Sequence, residues 1–398
     1  MSKRLCALLL TVLMMLGLCA CGSSSGQAAA AETEKEEAAG EAAVEETPAV
    51  PLSPLEQLVA DAEAGSTEAM CQLAGMYRDG DGVEADLNEA RSWYEKAGEA
   101  GHVYAYLWLG DTYYAPKDGA PDYNKAFDYY SKAAALGNPD AMGNLGVMCA
   151  AGYGVEQDYE TAAQWYEKAS DAGCAWALRN LGNLYLNGKL ASGKDEEKGL
   201  DLLIQSGEAG FPGAYQAVGS YYQYTVKDYG KAEEYYLKAA QAGESLGNRG
   251  LGFLYLYTLH DNAKAEEYLL KAAEAGDGVS MATLGELYNG AGGLAYIDYA
   301  KALEWYTKAM ESDNPSGYGI VMLGQMYYYG NGVEKDYEKA FACFSRAVEV
   351  FQATNSPDVF YPDAVELLGD MYKQGQGVEK DEEKAEEYYQ WAQELRSR

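Results

Sequence analysis

Histidine is the side chain that most often moves protons or holds zinc near neutral pH, and this chain has two, His102 and His260. One stands in a turn and the other in a shortened loop, too few for a histidine triad or a His₂ or His₃ zinc site. No Cys-x-x-Cys pair offers a substitute. Asp79-Gly80-Asp81-Gly82-Val83 invites a calcium-loop reading, but its sixth position is Glu84 rather than glycine and its twelfth is Ala90 rather than glutamate. The same Gly-x-Gly-Val frame returns at 152 and 330 without the acids, behind a helical pattern rather than a strand. It is a repeating turn, not a phosphate cradle. The groups available point away from catalysis and structural metal, and they imply no cofactor.

Charge narrows the partners. With 30 Lys+Arg against 62 Asp+Glu the formal charge is −32. Such a chain repels phosphate backbones, and no basic patch offsets this, so nucleic acid is excluded. Docking on anionic lipid through side chains is disfavoured in the same way, whereas basic proteins or peptides are favoured.

The N-terminus carries the sharpest local motif. Lys3 and Arg4 precede a mostly apolar stretch from Leu5 to Ala20, shorter than the ~20 residues a spanning helix needs. Leu18-Cys19-Ala20-Cys21 then resembles a bacterial lipobox. The resemblance implies that residues 1–20 are a signal peptide, that a diacylglycerol is attached to the Cys21 thiol, and that the protein is held on the outer face of the cytoplasmic membrane. Ordinary cleavage and free secretion is the alternative. Gly22, rather than Asp, follows the cysteine, so no inner-membrane retention signal is visible for a host with two membranes. Residues 21–53 are rich in Ser, Gly, Ala and Glu without an aromatic residue and read as a disordered tether. As a coil it would reach on the order of 30 Å. Cys71, Cys149, Cys174 and Cys343 remain in the mature chain at unrelated repeat positions, which fits buried free thiols better than a disulfide framework.

Residues 54–398 repeat themselves. The residue after a recurring Leu or Val is Ala74, Gly110, Gly146, Gly182, Gly219, Gly252, Gly285, Gly324 and Gly369, at spacings of 33 to 45 residues. Each unit predicts two helices. In the first, a small residue, a Leu and an aromatic residue four apart (Ala177, Leu181, Tyr185) share one face. The glycine there costs about 1 kcal/mol relative to alanine, tolerable if it lets a neighbouring helix approach. A glycine turn ends the first helix, and Asp86, Asp158, Asp228, Asp336 and Asp381 stand where N-caps of the second belong, with Glu89 at capping-box spacing in the first unit. The second helix carries aromatic pairs such as Trp93-Tyr94 and Trp165-Tyr166. Leu55 to Gly65 reads as a half-unit that caps the array. Units four to seven alter or shorten the turn, and residues 349–363 insert a longer connection.

One such hairpin cannot bury its apolar face alone, so neighbours must stack. The pattern resembles the Sel-1-like repeat family, related to tetratricopeptide repeats, over residues 54–398. The resemblance implies an all-α, right-handed α-solenoid of nine helix-turn-helix repeats with a concave face. Most of the 36 tyrosines fall at matching repeat positions and read as packing residues. Positions two, six and nine after the first small residue point away from the partner helix. They nominate Asp111, Tyr114, Arg179, Asn183, Gln216, Gln223, Arg249, Phe253, Gln325 and Tyr328 as concave-face contacts for an extended peptide or protein. The expected function is a membrane-tethered interaction scaffold, not an enzyme. A cell-wall glycan binder using Tyr and Trp platforms is the rival. A hydrolase of β-lactams or cell-wall precursors, implied by the resemblance alone, has no nucleophile–base pair behind it.

Overall fold

A computed structural model describes residues 52–116, 119–290, 297–354 and 360–397; the expected signal peptide, Cys21 and the expected tether up to residue 51 lie outside the described residues. Ser53 opens the folded chain. Its hydroxyl accepts from Glu56 N–H while the Glu56 carboxylate accepts from Ser53 N–H, a reciprocal cap that starts α1 (Pro54–Glu63) where the half-unit is expected.

Among the described residues the regular structure is all helical, without a strand, in two compact bodies that divide at residues 196 and 197. The first holds α1, α2 (Thr67–Asp79), α3 (Leu87–Glu99), α4 (Ala105–Tyr114), α5 (Tyr123–Ala135), α6 (Pro139–Ala151), α7 (Tyr159–Asp171) and α8 (Ala175–Leu186). The second holds α9 (Glu196–Glu208), α10 (Gly213–Tyr221), α11 (Tyr229–Gln241), α12 (Ser245–Phe253), α13 (Asn262–Glu274) and α14 (Gly278–Tyr288). It continues with α15 (Tyr299–Glu311), α16 (Gly317–Tyr329), α17 (Tyr337–Thr354), α18 (Phe360–Gln374) and α19 (Glu382–Ser397). Even-numbered helices open the repeats and odd-numbered ones close them. In the second body α10 touches α12, α14 touches α16 and α16 touches α18, so hairpins stack first helix on first helix, as an α-solenoid requires.

Each hairpin is closed by one aspartate. Eight of them, Asp86, Asp122, Asp158, Asp228, Asp261, Asp298, Asp336 and Asp381, accept from amides in the first turn of the second helix. In all nine repeats the aspartate's own N–H donates at 2.9 to 3.1 Å to a carbonyl near the end of the first helix, from Asp86 to Tyr77 through Asp381 to Tyr372. That commitment explains a departure from expectation. Glu89 N–H donates to Asp86, but the returning half of the box is not made, because Asp86 N–H already serves Tyr77.

A ring of the second helix fills the hairpin. A Cβ on Gly146 or Gly219 would stand 2.6 Å from the Tyr166 or Tyr236 ring, so the helical glycines are where two helices come closest. Turns join repeats as well as helices. Gly154 lies at φ +70° against the Tyr123 carbonyl of the preceding repeat, and Gly377 takes the same place on Tyr337. Repeats five and six lack the glycine turn. There the first helices end in π turns, Tyr222–Val226 and Leu254–Leu259, and Lys227 (φ 63°) and His260 (φ 57°) take left-handed conformations. The insertion at 349–363 is partly helix rather than loop, since α17 runs 18 residues and α18 starts at Phe360. The four cysteines among the described residues are buried free thiols; burial pushes Cys71 and Cys174 up to about 12 and Cys343 to about 11.

Candidate interaction surface

Nine of the ten nominated residues fall into three groups once the side chains are placed. Asp111, Gln216, Gln223 and Arg249 are held by other parts of the chain. Tyr130 is buried under Gly110, and its hydroxyl passes the glycine to donate to Asp111 Oδ1 at 2.8 Å. Burial lifts the Asp111 carboxyl to about 6; Tyr130's hydrogen bond pulls it down, Asp140 pushes it up and Arg78 lowers it. In repeat five the Tyr236 hydroxyl donates to Gln223 Oε1 (2.8 Å) and lies 3.1 Å from Ser220 Oγ. Gln216 Nε2 donates to Ser220, and Gln223 Nε2 to Thr258 of the next repeat. Gln216 and Gln223 are buried at 9% and 3% exposure, which corrects their assignment to an open face: the buried phenol has to be satisfied, Gln223 satisfies it directly, and Gln216 holds the Ser220 hydroxyl beside it. Arg249 Nη1 donates at 3.0 Å to Asp277, a buried N-cap of α14 that also accepts from Ser280 N–H. Its guanidinium neutralises a buried carboxylate, so it does a structural job.

Tyr114, Phe253 and Tyr328 sit half-buried in aromatic clusters. Tyr114 stands edge-on to Tyr123 and Tyr153, which stack on each other at 4.5 Å and so link repeats two and three. Burial, then Tyr153 and Tyr123, push its hydroxyl up to about 12. Phe253 meets Tyr257 edge-on, and Tyr328 packs among Tyr329, Tyr337 and Phe344. Asn183 and Gln325 form the third group. Both are half-buried and make no side-chain hydrogen bond to another described residue. Arg179, the tenth, is half-buried one helical turn before Asn183.

A rule separates the groups that the sequence reading missed. In four repeats position six or nine of the first helix serves the hydroxyl of the second-helix tyrosine: Tyr94 with Arg78, Tyr130 with Asp111, Tyr236 with Ser220 and Gln223, Tyr389 with Asp370. Where the equivalent residue is Leu203, Leu269 or Phe344, position six (Asn183, Phe253, Gln325) has no phenol to satisfy. The signal lay in the sequence as a Tyr-to-Leu or Tyr-to-Phe change on the second helix.

The aromatic abundance has a structural cause of its own. In three repeats a tyrosine ring of the first helix lies parallel to one of the second, and a lysine covers each outer face. Lys125, Tyr113, Tyr129 and Lys132 form one column, and Lys231, Tyr222, Tyr235 and Lys238 another. Lys264, Tyr255, Tyr268 and Lys271 form the third. Lys96, Lys168 and Lys308 likewise cover Trp93, Trp165 and Trp305 at 3.9 to 4.5 Å. These rings are packing surfaces with a charged lid.

Of the two histidines, His102 stacks on Trp108 and His260 is exposed. No group of metal-ligating side chains occurs among the described residues, and no described helix is long and apolar enough to cross a membrane.

Stacked hairpins that share buried rings define an α-solenoid repeat protein, a class that works by presenting surface. The Sel1 repeat model matches nine segments, 67–102, 103–138, 139–174, 177–211, 214–244, 246–277, 279–314, 318–349 and 362–392, and the chain belongs to that family. Sel1 repeat proteins bind other proteins, and the fold is typically a non-catalytic scaffold. Among solved structures, a protective antigen of uropathogenic Escherichia coli described as displaying an SLR fold is 30% identical, with 85% of this chain and 71% of that chain covered and a TM-score of 0.48. A Sel1 repeat protein from Oxalobacter formigenes is 27% identical over 56% of this chain and 99% of its own, with a TM-score of 0.46. An immunity protein from Pseudomonas aeruginosa is 21% identical over 52% and 80%, with a TM-score of 0.40. No match was found among curated proteins.

Proposed function

We propose that this chain is a lipid-tethered scaffold outside the cytoplasmic membrane, whose repeats hold a protein or peptide partner. The observation that carries the reading is the pair of uncommitted polar side chains, Asn183 in the first body and Gln325 in the second, at the positions where other repeats spend theirs on a buried phenol. A side chain with donors and acceptors to spare on a rigid helix can pair with a partner's backbone at little ordering cost. The lipobox-like Cys21 and the acidic tether support the location.

The test is crosslinking in intact cells, followed by capture. Asn183→Leu and Gln325→Leu together are expected to reduce recovery of the main crosslinked partner at least fivefold while the far-ultraviolet dichroism stays unchanged. Undiminished recovery would remove these residues from the interface. Cys21→Ser is expected to move the protein from the membrane to the soluble fraction. The glycan reading is weaker on this surface, because lysines cover the second-helix rings that would have served as platforms. Pelleting with purified peptidoglycan is expected to leave the protein in the supernatant.

A further inference from the structure

The first body contains a pocket of ≈ 180 Å³ between α2, α3 and α4, bounded by Arg78, Arg91, Trp108 and Asp111 with Leu87 and Pro116 beside them. Acidic groups outnumber basic ones two to one in this chain, so a guanidinium should find a carboxylate easily. Arg78, Arg249, Arg346 and Arg396 each do. Arg91 does not: its contact among the described residues is with the Tyr113 ring, 4.7 Å from its carbon Cζ, and its buried Nε has no hydrogen-bond partner. The contact with the Tyr113 ring holds the guanidinium without using its donors. Beside it, Asp79 engages Arg78 with both oxygens, and the Arg78 Nη1 donates to the Tyr94 hydroxyl at 3.3 Å, which anchors a second guanidinium at the pocket wall.

We propose that this pocket binds a carboxylate attached to a small apolar group, supplied by a partner peptide as its free C-terminus or as an acidic side chain, with Arg91 as the fork that pairs with it. A planar guanidinium with unspent donors matches a carboxylate with two parallel hydrogen bonds. Trp108, Leu87 and Pro116 supply the apolar wall for the adjoining side chain, and the volume admits about one such residue. The overall negative charge does not forbid this. At physiological salt it is screened beyond ~8 Å, whereas the pair in the pocket is in contact. The nearby Asp111 opposes an anionic guest, although its carboxyl faces Tyr130 as well as Arg78 and Asp140. This reading names the partner chemistry for the scaffold function and rests on it.

The experiment uses the intact mature protein and three acetylated pentapeptides, Gly-Ser-Gly-Ala-Leu with a free C-terminus, the same with a C-terminal amide, and an amidated one ending in Asp. Inorganic phosphate is the fourth probe. Calorimetry reads affinity, and the Arg91 Nε–H resonance, assigned by its loss in Arg91→Lys, reads the contact. The free acid or the Asp peptide is expected to bind at least tenfold tighter than the amide and to shift that resonance. Whichever of the two binds tighter identifies the source of the carboxylate. Arg91→Leu should abolish the difference, Arg91→Lys should keep only part of it, and Asp111→Asn should strengthen binding. Equal binding of acid and amide, equal binding by Arg91→Leu with unchanged dichroism, or phosphate binding as tightly as the peptides would each overturn the proposal. Partner capture in cells that survives Arg91→Leu would leave the scaffold reading standing while this pocket assignment fails.

Discussion

Asp111 shows how one side chain can be read two ways. From sequence it is an acid on an exposed helix face; in the structure it receives a phenol that would otherwise be buried without a partner. Its folded pKa of about 6 lies above the ordinary 3.8, because burial penalises the charged form. Ionisation is therefore easier in the unfolded chain. The stability tied to this group is fully present below pH 3.8, is lost as pH rises to about 6, and stays lost above that. Asp111→Asn keeps an oxygen for Tyr130 and removes the charge. It is expected to raise stability at pH 7.5 by on the order of 2 kcal/mol and to leave it nearly unchanged at pH 3.5. Urea midpoints of the two proteins at those pH values check this; a gap of equal size at both would mean that desolvation is not the cause.

At the scale of elements, helices, caps and turns were legible because each is written locally. A glycine turn, an aspartate cap and an aromatic pair are adjacent letters, and their period exposes the hairpin. The π turns after α10 and α12 were visible only as missing glycines, since the sequence does not say how a shortened turn is absorbed. Position nine was misread in part for a different reason. Whether Gln223 faces a partner depends on Tyr236, thirteen residues away, whose hydroxyl reaches past Gly219, and that is a packing fact rather than a periodic one. The turns test the stacking itself. Gly82 and Gly154 share the left-handed conformation, at φ +73° and +70°, so alanine costs both about 1 kcal/mol of backbone strain. A Cβ on Gly82 meets only the flexible end of Met76 at 3.3 Å, whereas on Gly154 it would lie 2.6 Å from the Tyr123 carbonyl oxygen of the previous repeat. Gly154→Ala is expected to lose roughly 2 kcal/mol more than Gly82→Ala in urea unfolding. Equal losses would show that the turn does not join repeats.

For the molecule as a whole, the question is where a core begins and ends. Ala126, Tyr130, Ala133, Ala141, Leu145 and Met148 belong to one buried cluster, although the first three come from repeat two and the others from repeat three. Trp176, from repeat four, lies on Gly143 of repeat three, and its indole N–H donates to Asp140 at 3.0 Å. A hairpin cut at its repeat boundaries therefore loses packing on both sides. At 36 residues, 139–174 is also shorter than the ~40 that usually permits independent folding without a disulfide or metal. The peptide 139–174 is expected to show little helix in far-ultraviolet dichroism and no melting transition. The fragment 67–174, which keeps the two preceding repeats, should be helical and unfold cooperatively, because it retains the shared cluster around Tyr130. If the single hairpin melted as sharply as the three-repeat fragment, the buried rings would be serving each repeat alone. The array would then be a string of independent hairpins rather than a solenoid.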